Sequence, residues 1–394
     1  MSELRNIPRL RFSDFNYEWT TDTLNSISNL NMGQSPNSSS YNQDEIGMPL
    51  IQGNADITNR KSKPRQWTTE PTKLCDDGDL IMTVRAPVGY ISKSIHNACI
   101  GRGVCSIKPK GNNSIEFIYQ FLLGYEKDWR RLEQGSTFTA VNSNDIKSIK
   151  LSFPSLPEQQ KIADFLTSVD KRIELLEKKK TLLETYKKGV MKKIFNQEIR
   201  FKDDNGSEFP DWEEKKLGEI CDYKNGGSFE KLIIESGEFN LITLNSIDIE
   251  GNMKNTHKRV NVNDNSLSEG DLIMVLSDVA HGNFLGLTEI IPNNKFVLNQ
   301  RMGALKPKLS INRFYLKCFI NQNQKYFKLM GQGSSQLNLS KGDILNFNVS
   351  YPIINEQEKI SNFFKSVDNQ IKLLKTHINK SKTWKKGLLQ KMFV

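Results

Sequence analysis

The chain is one unit written twice, and that repeat limits its fold more than any other feature. Residues 153–195 and 351–393 align without a gap at an offset of 198, with 18 of 43 positions identical, well beyond what shared composition gives. The offset persists upstream, pairing Lys108-Pro109 with Lys306-Pro307, Gly135-Ser136 with Gly333-Ser334, and Asp145-Ile146 with Asp343-Ile344. Earlier still the register slips by a few residues and sets GDLIM at 78–82 against GDLIM at 270–274. The openings also correspond: Leu10, Arg11, Phe12, Phe15, Trp19 and Leu24 against Ile199, Arg200, Phe201, Phe209, Trp212 and Leu217. Each half is therefore a variable part of about 150 residues followed by a closely matched segment of 43.

The two parts differ in period. In 1–152 and 196–350, short apolar runs such as 79–84, 271–276 and 346–349 are broken by Gly, Pro, Asn and Ser clusters. That pattern predicts mostly-β domains with long loops, with short helices near 115–125 and 311–330. The matched segments read as helices. Long or apolar side chains recur at alternating steps of three and four, a heptad seam. Its expected packing positions are Ile162, Phe165, Val169, Ile173 and Leu176, and Ile360, Phe363, Val367, Ile371 and Leu374. Lys180, Lys187, Ser381 and Lys385 weaken its far end. Pro157 and Pro352 stand where a helix starts, Glu158 and Glu356 follow near its positive end, and Lys-Lys-Gly closes each segment at 187–189 and 385–387, where cations are favoured.

A helix of ~38 residues is ~57 Å long, too long to bury its stripe on one small β domain. Two equal seams most simply bury each other. Equivalent halves imply a pseudo-twofold axis, hence antiparallel helices. The expected fold is α+β: two mostly-β globular domains, 1–152 and 196–350, joined by two long helices, 153–195 and 351–394. The helices form an antiparallel coiled coil with pseudo-twofold symmetry.

No catalytic motif is present. The sequence lacks GxxxxGK[ST] and so a P-loop, and Gly101-Arg-Gly103 and Gly331-Gln-Gly333 are only fragments of a dinucleotide fingerprint. Thirteen prolines include no Pro-Pro pair, so the Pro-Pro-aromatic loop that grips a flipped base in DNA amino-methyltransferases is missing. The carboxylates at Asp211, Glu213 and Glu214 crowd one stretch and read as a solvated charge run. Five cysteines form no CxxC pair, and four histidines stand in unmatched positions, so neither a metal nor a redox centre is expected. No apolar run approaches a membrane span, and residues 1–10 lack a signal-peptide core; the expected compartment is cytoplasmic.

What remains is binding. Arg60, Lys61, Lys63, Arg65 and Gln66 form a basic loop before Trp67, with Lys254, Asn255, Lys258 and Arg259 as the counterpart. Arg reads guanine and Gln reads adenine bidentately, although such runs also occur as plain solvated loops. Ser136 and Thr137, and Ser335 and Gln336, occupy identically placed polar turns that serve as contact loops or as strand connectors. The net charge of +10 gathers elsewhere: residues 171–195 hold nine basic and three acidic side chains, and 369–393 hold seven basic and no acidic ones. The variable domains are close to neutral overall. Any contact with nucleic acid is thus expected at local basic loops rather than across a positively charged domain.

The order of variable domain, helix, variable domain, helix, without a catalytic motif, resembles the specificity subunit of type I restriction–modification systems. The resemblance spans essentially the whole chain. It rests on the paired Pro-x-x-x-Glu-Gln-x-Lys-Ile stretches at 154–162 and 352–360, on Phe165/Phe363, Val169-Asp170/Val367-Asp368 and Ile173/Ile371, and on the Lys-Lys-Gly closures. The GDLIM runs and the aromatic openings agree with it. Departures are the wider Phe15–Trp19 spacing and Asn355 in place of Pro157. The resemblance implies two target-recognition domains, each reading half of a split target in double-stranded DNA, and two helices that space the half-sites. It further implies docking of two methyltransferase (modification) subunits and of restriction (motor-nuclease) subunits. S-adenosylmethionine, ATP and Mg²⁺ would serve those partners, with no cofactor and no membrane for this chain. A stand-alone tandem DNA-binding regulator and a coiled-coil interaction protein without nucleic acid are the alternative readings.

Overall fold

The twin GDLIM runs become the central strands of two similar β domains, and their burial explains their composition. All four residues of strand Leu80–Thr83 are buried, as are those of Leu272–Val275. Successive side chains point to opposite faces, so a strand covered on both faces is apolar throughout. Leu80 and Met82 face a helix, Ile115–Gly135, through Ile118, Phe121 and Leu122, while Ile81 faces a second sheet through Ile51, Ala98 and Ile100. In the second half Leu272 and Met274 pack on helix Arg313–Gln322, and Ile273 and Val275 on Ile242, Phe296 and Leu298. The preceding Gly78 and Gly270 take φ near +90° and +84°, which glycine adopts without a Cβ penalty. Asp79 and Asp271 accept the backbone N–H of Asp76 and Ser268 and pair loosely with Lys108 and Lys306.

We describe a computed structural model covering residues 6–135, 140–279, 282–308 and 311–394, apart from the side chains of 130–135 and 279. The first β domain holds a six-stranded sheet centred on Leu80–Thr83 and Val104–Pro109, a five-stranded sheet, and a two-stranded pair of Thr20–Thr23 with Lys150–Phe153. The second repeats this plan with four-, three- and two-stranded sheets, including the pair Glu213–Lys216 with Asn348–Tyr351. Two long helices follow, Leu156–Phe195 and Ile354–Met392.

The chain divides into two compact units. One contains Met1–Lys179 with Leu374–Val394, so its β domain is joined by the start of the first long helix and the end of the second. The other contains Lys180–Leu373, with the end of the first helix and the start of the second. Within each unit the two helical segments pack together and run antiparallel: Phe165 meets Trp384 and Glu177 pairs with Lys382 in one, and Tyr186 meets Phe363 while Lys187 pairs with Asp368 in the other. The architecture is two mostly-β domains joined by long helices that pack as an antiparallel coiled coil.

Candidate functional site

The repeated Pro-x-x-x-Glu-Gln-x-Lys-Ile stretch fastens each β domain to the start of its helix. Glu158 is buried and accepts a bidentate pair from Arg11 at 2.7 and 2.8 Å, and the Trp19 indole N–H points at it from 3.3 Å. Glu356 receives Arg200 at 3.2 and 2.7 Å and the Trp212 indole at 3.3 Å. One residue on, Gln159 accepts the Ser114 N–H and donates to the Pro154 carbonyl; Gln357 does the same with Asn312 and Pro352. Lys161 then pairs with Asp14, and Lys359 with Asp204. The Arg and Trp of each opening thus belong to the same cluster as the Glu of each motif. A charged, forked hydrogen bond of this kind is both strong and directional.

The heptad positions form the seam. Ile162, Val169, Ile173, Ile360, Val367, Ile371 and Leu374 are buried, and Phe165, Leu176 and Phe363 are half-buried. Ala163, Leu166 and Phe364 are more fully buried than the seam phenylalanines. They belong to no heptad position, because the first turns of each helix also pack on the β domain and require a wider apolar stripe. Lys187 and Lys385, which interrupt the seam, are satisfied by Asp368 and Asp170 on the facing helix. Burial pulls the Lys385 ammonium below the usual lysine range, and Asp170 opposes that shift.

The candidate DNA-contacting residues fall into distinct settings. Arg60 turns inward. It and Asn59 adopt left-handed backbone, and its guanidinium grips Glu126 at 2.5 and 3.0 Å, donates to the Ile91 carbonyl and lies over the Tyr90 ring. Burial works against that charge, and Glu126 together with Tyr119 and Tyr90 more than offsets it. Lys61 and Lys63 are exposed, and Arg65 pairs with buried Asp56. The Gln66 side chain accepts a hydrogen bond from Gln52 at 3.0 Å. Lys254, Asn255, Lys258 and Arg259 are exposed in the second half, with Arg259 also donating to the Gly237 carbonyl. Strand register makes Lys258 the counterpart of Gln66, since they stand opposite Leu241 and Leu50. Ser335 is exposed and Gln336 lies on the short strand Gln336–Asn338. Ser136 and Thr137 lie outside the described residues.

A neighbouring feature escaped sequence reasoning because its parts are scattered. Ser35, Gln52, Gly53, Asn54, Arg85, Ala86, Arg102 and Gly103 line a polar hollow of about 170 Å³. The only trace in the sequence is the Gly101-Arg102-Gly103 fragment. Among the described residues no group of three or more His, Cys, Asp or Glu could hold a metal ion, and no helix is long and apolar enough to cross a membrane.

Comparison with known proteins agrees with this architecture. The family model for the type I restriction modification DNA specificity domain matches the chain twice, over residues 16–185 and 210–382. The putative type I restriction enzyme MjaX specificity subunit of Methanocaldococcus jannaschii is 39% identical over 172 residues, 43% of this chain and 40% of that protein. The MjaIX specificity subunit of the same organism is 30% identical over 182 residues, 42% of this chain and 41% of that protein. These alignments therefore span about two fifths of each relative's length. Among solved structures, the S subunit of the type I restriction–modification system from M. genitalium superimposes with a TM-score of 0.63 at 19% identity, covering 98% of this chain and 99% of that one. A chain from a study of complex assembly and conformational transition in the type I R-M system gives 0.61 at 17% identity, covering 95% and 97%. Both share the fold.

Proposed function

The chain belongs to the family of type I restriction–modification DNA specificity subunits, and from that premise we propose that it is the DNA-reading subunit of such a complex. Each β domain is a target-recognition domain for one half of a split double-stranded target. The long helices set the separation of the half-sites and receive the partners, namely two modification subunits and the restriction subunits, in the cytoplasm. Methyl transfer and ATP-driven cleavage belong to those partners, and this chain supplies sequence. The observation that carries the reading is the repetition of a whole fastening cluster, Arg11–Glu158–Trp19 and Arg200–Glu356–Trp212, around domains whose loops differ. A rigid, duplicated mount with exchangeable loops suits two different half-sites on a nearly twofold duplex.

For further DNA contacts we favour the exposed Lys61, Lys63, Lys254, Asn255, Lys258, Arg259 and Ser335 and the half-buried Gln336, with Ser136 and Thr137. Arg60 and Arg65 are held by Glu126 and Asp56 and support the loop. Partner docking is supported by apolar side chains left exposed at matching places: Leu175 and Trp384 in one unit, Leu373 and Tyr186 in the other. They correspond at the repeat offset of 198, as two identical partners require.

Deletion of the gene, methylome sequencing of both strains, and affinity purification of the tagged chain test the proposal. The expected result is loss of one bipartite methylation motif and recovery of modification subunits with the chain. An unchanged methylome together with a chain purified alone would instead favour a stand-alone regulator.

A further inference from the structure

The polar hollow stands on a frame that both halves share. Four loops meet there, and their backbone hydrogen bonds recur residue for residue. The N–H of Gly33 donates to Val104 at 3.0 Å, as Gly226 donates to Met302 at 3.1 Å. Gln34 donates to Ile100 at 2.9 Å, as Gly227 does to Leu298 at 3.0 Å; Gly101 donates to Ile51 at 2.8 Å, as Asn299 does to Ile242 at 3.1 Å. Val84 reaches Gly103 at 2.9 Å, as Leu276 reaches Arg301 at 3.1 Å. A Cβ on Gly33 would strike the Gly101 carbonyl, and one on Gly226 the Asn299 carbonyl, so both glycines are required for the loops to close.

The side chains set on that frame do not recur. By strand register, Gln52 is replaced by Thr243, Gln66 by Lys258, Arg85 by Ser277 and Arg102 by Gln300. In the first half Arg85 and Arg102 are exposed at the rim, and neither guanidinium makes a hydrogen bond or ion pair among the described residues. The Gln52 amide donates to Gln66, which leaves a free acceptor on Gln52 and a free donor on Gln66. That composite edge complements N6–H and N7 of adenine, and a guanidinium complements O6 and N7 of guanine. In the second half Ser277 is buried and donates to Asn338 at 2.7 Å, so the arginine position has become structural.

Phosphates are the same whatever the sequence. A position that only held phosphate would therefore tend to repeat with the frame. Side chains that change while the frame stays are the ones that carry sequence information. We propose that this loop junction is the base-reading site of each recognition domain, and that in the first domain Arg85, Arg102 and the Gln52–Gln66 amide pair read purine edges in the major groove. The inference rests on the reading of the chain as a DNA specificity subunit.

The test is the doubly substituted chain R85S/R102Q, which places second-half residues on the first-half frame, expressed with its modification subunits and read by methylome sequencing. The expected motif keeps its second half-site and its gap. In the first half-site, discrimination falls by about 5- to 150-fold at one or two base pairs. An unchanged first half-site overturns the inference, as does a uniform loss at every sequence with a shallower salt dependence, the mark of phosphate contacts. A wild-type chain that directs no bipartite motif overturns instead the functional reading beneath it. Should the double variant fail to assemble, R102K decides. It keeps the charge and loses the bidentate fork, so base reading predicts a relaxed motif and a phosphate contact predicts no change.

Discussion

Glu158 and Glu356 are almost fully buried carboxylates, and their partners come from 147 and 156 residues away in the sequence. Such groups are costly unless they are hydrogen-bonded, and here a forked guanidinium and an indole N–H supply three donors to each. Substituting Glu158→Gln keeps the shape but removes the charge and sets an amide N–H against two donors. We expect a loss of about 1.5–3 kcal/mol, confined to the unit containing Met1–Lys179, so calorimetry should show one transition lowered and the other unmoved. E356Q should do the reverse. A shift of both transitions together would contradict independent fastening. The five cysteines offer a second residue-scale test, since all are buried and unbridged. Burial pushes the thiols of Cys105, Cys221 and Cys318 up to about 12. Thiolate is the reactive form, so at pH 8 the folded chain should resist iodoacetamide at these three positions and react at all five once unfolded. Rapid labelling of the native protein, read by mass spectrometry, would count against those environments.

At the scale of elements, legibility followed repetition. The two helices, the GDLIM strands and the seam could be read because each is written twice in the same register, so coincidence was excluded by position. Single features were harder. Arg60 reads in sequence as part of a basic loop, and its ion pair with Glu126, 66 residues away, is announced by nothing local. The hollow at Arg85 and Arg102 was invisible because four separate loops supply one to three residues each. Lys385 looked like a flaw in the seam and is instead half of an ion pair. Asp170 accepts it at 2.6 Å and also accepts the Gln120 amide at 2.9 Å. D170K should cost about 1–2 kcal/mol, discounted because Asp170 is partly exposed. Adding K385D should restore most of the loss. The swap is tolerable because the Gln120 carbonyl oxygen is buried without a hydrogen-bond partner; turning the amide would let it accept from a lysine at 170. Thermal melts of the two single variants and the double variant form the cycle that checks this, and an additive double would exclude the pairing.

For the whole molecule, the proposed spacing role makes the helices a ruler whose graduations are heptads. Each begins beside one β domain, and they run through 40 and 39 residues, about 60 Å at 1.5 Å per residue. Duplicating seven residues in both helices adds about 10.5 Å and keeps the seam in phase. At ~3.4 Å per base pair that is about three base pairs. The chain with both duplications, expressed with its modification subunits, should therefore methylate a motif whose two half-sites are unchanged and whose gap is about three base pairs longer. Duplicating four residues adds about 6 Å, somewhat more than half that length, but interrupts the heptad, which locally unwinds a coiled coil. It should impair assembly where seven residues do not. The contrast separates a ruler from a tether: a flexible connection would accept either insertion and hold its original gap. Methylome sequencing reads the gap directly, and a seven-residue variant that keeps the wild-type gap would end the ruler interpretation while leaving the two base-reading domains in place.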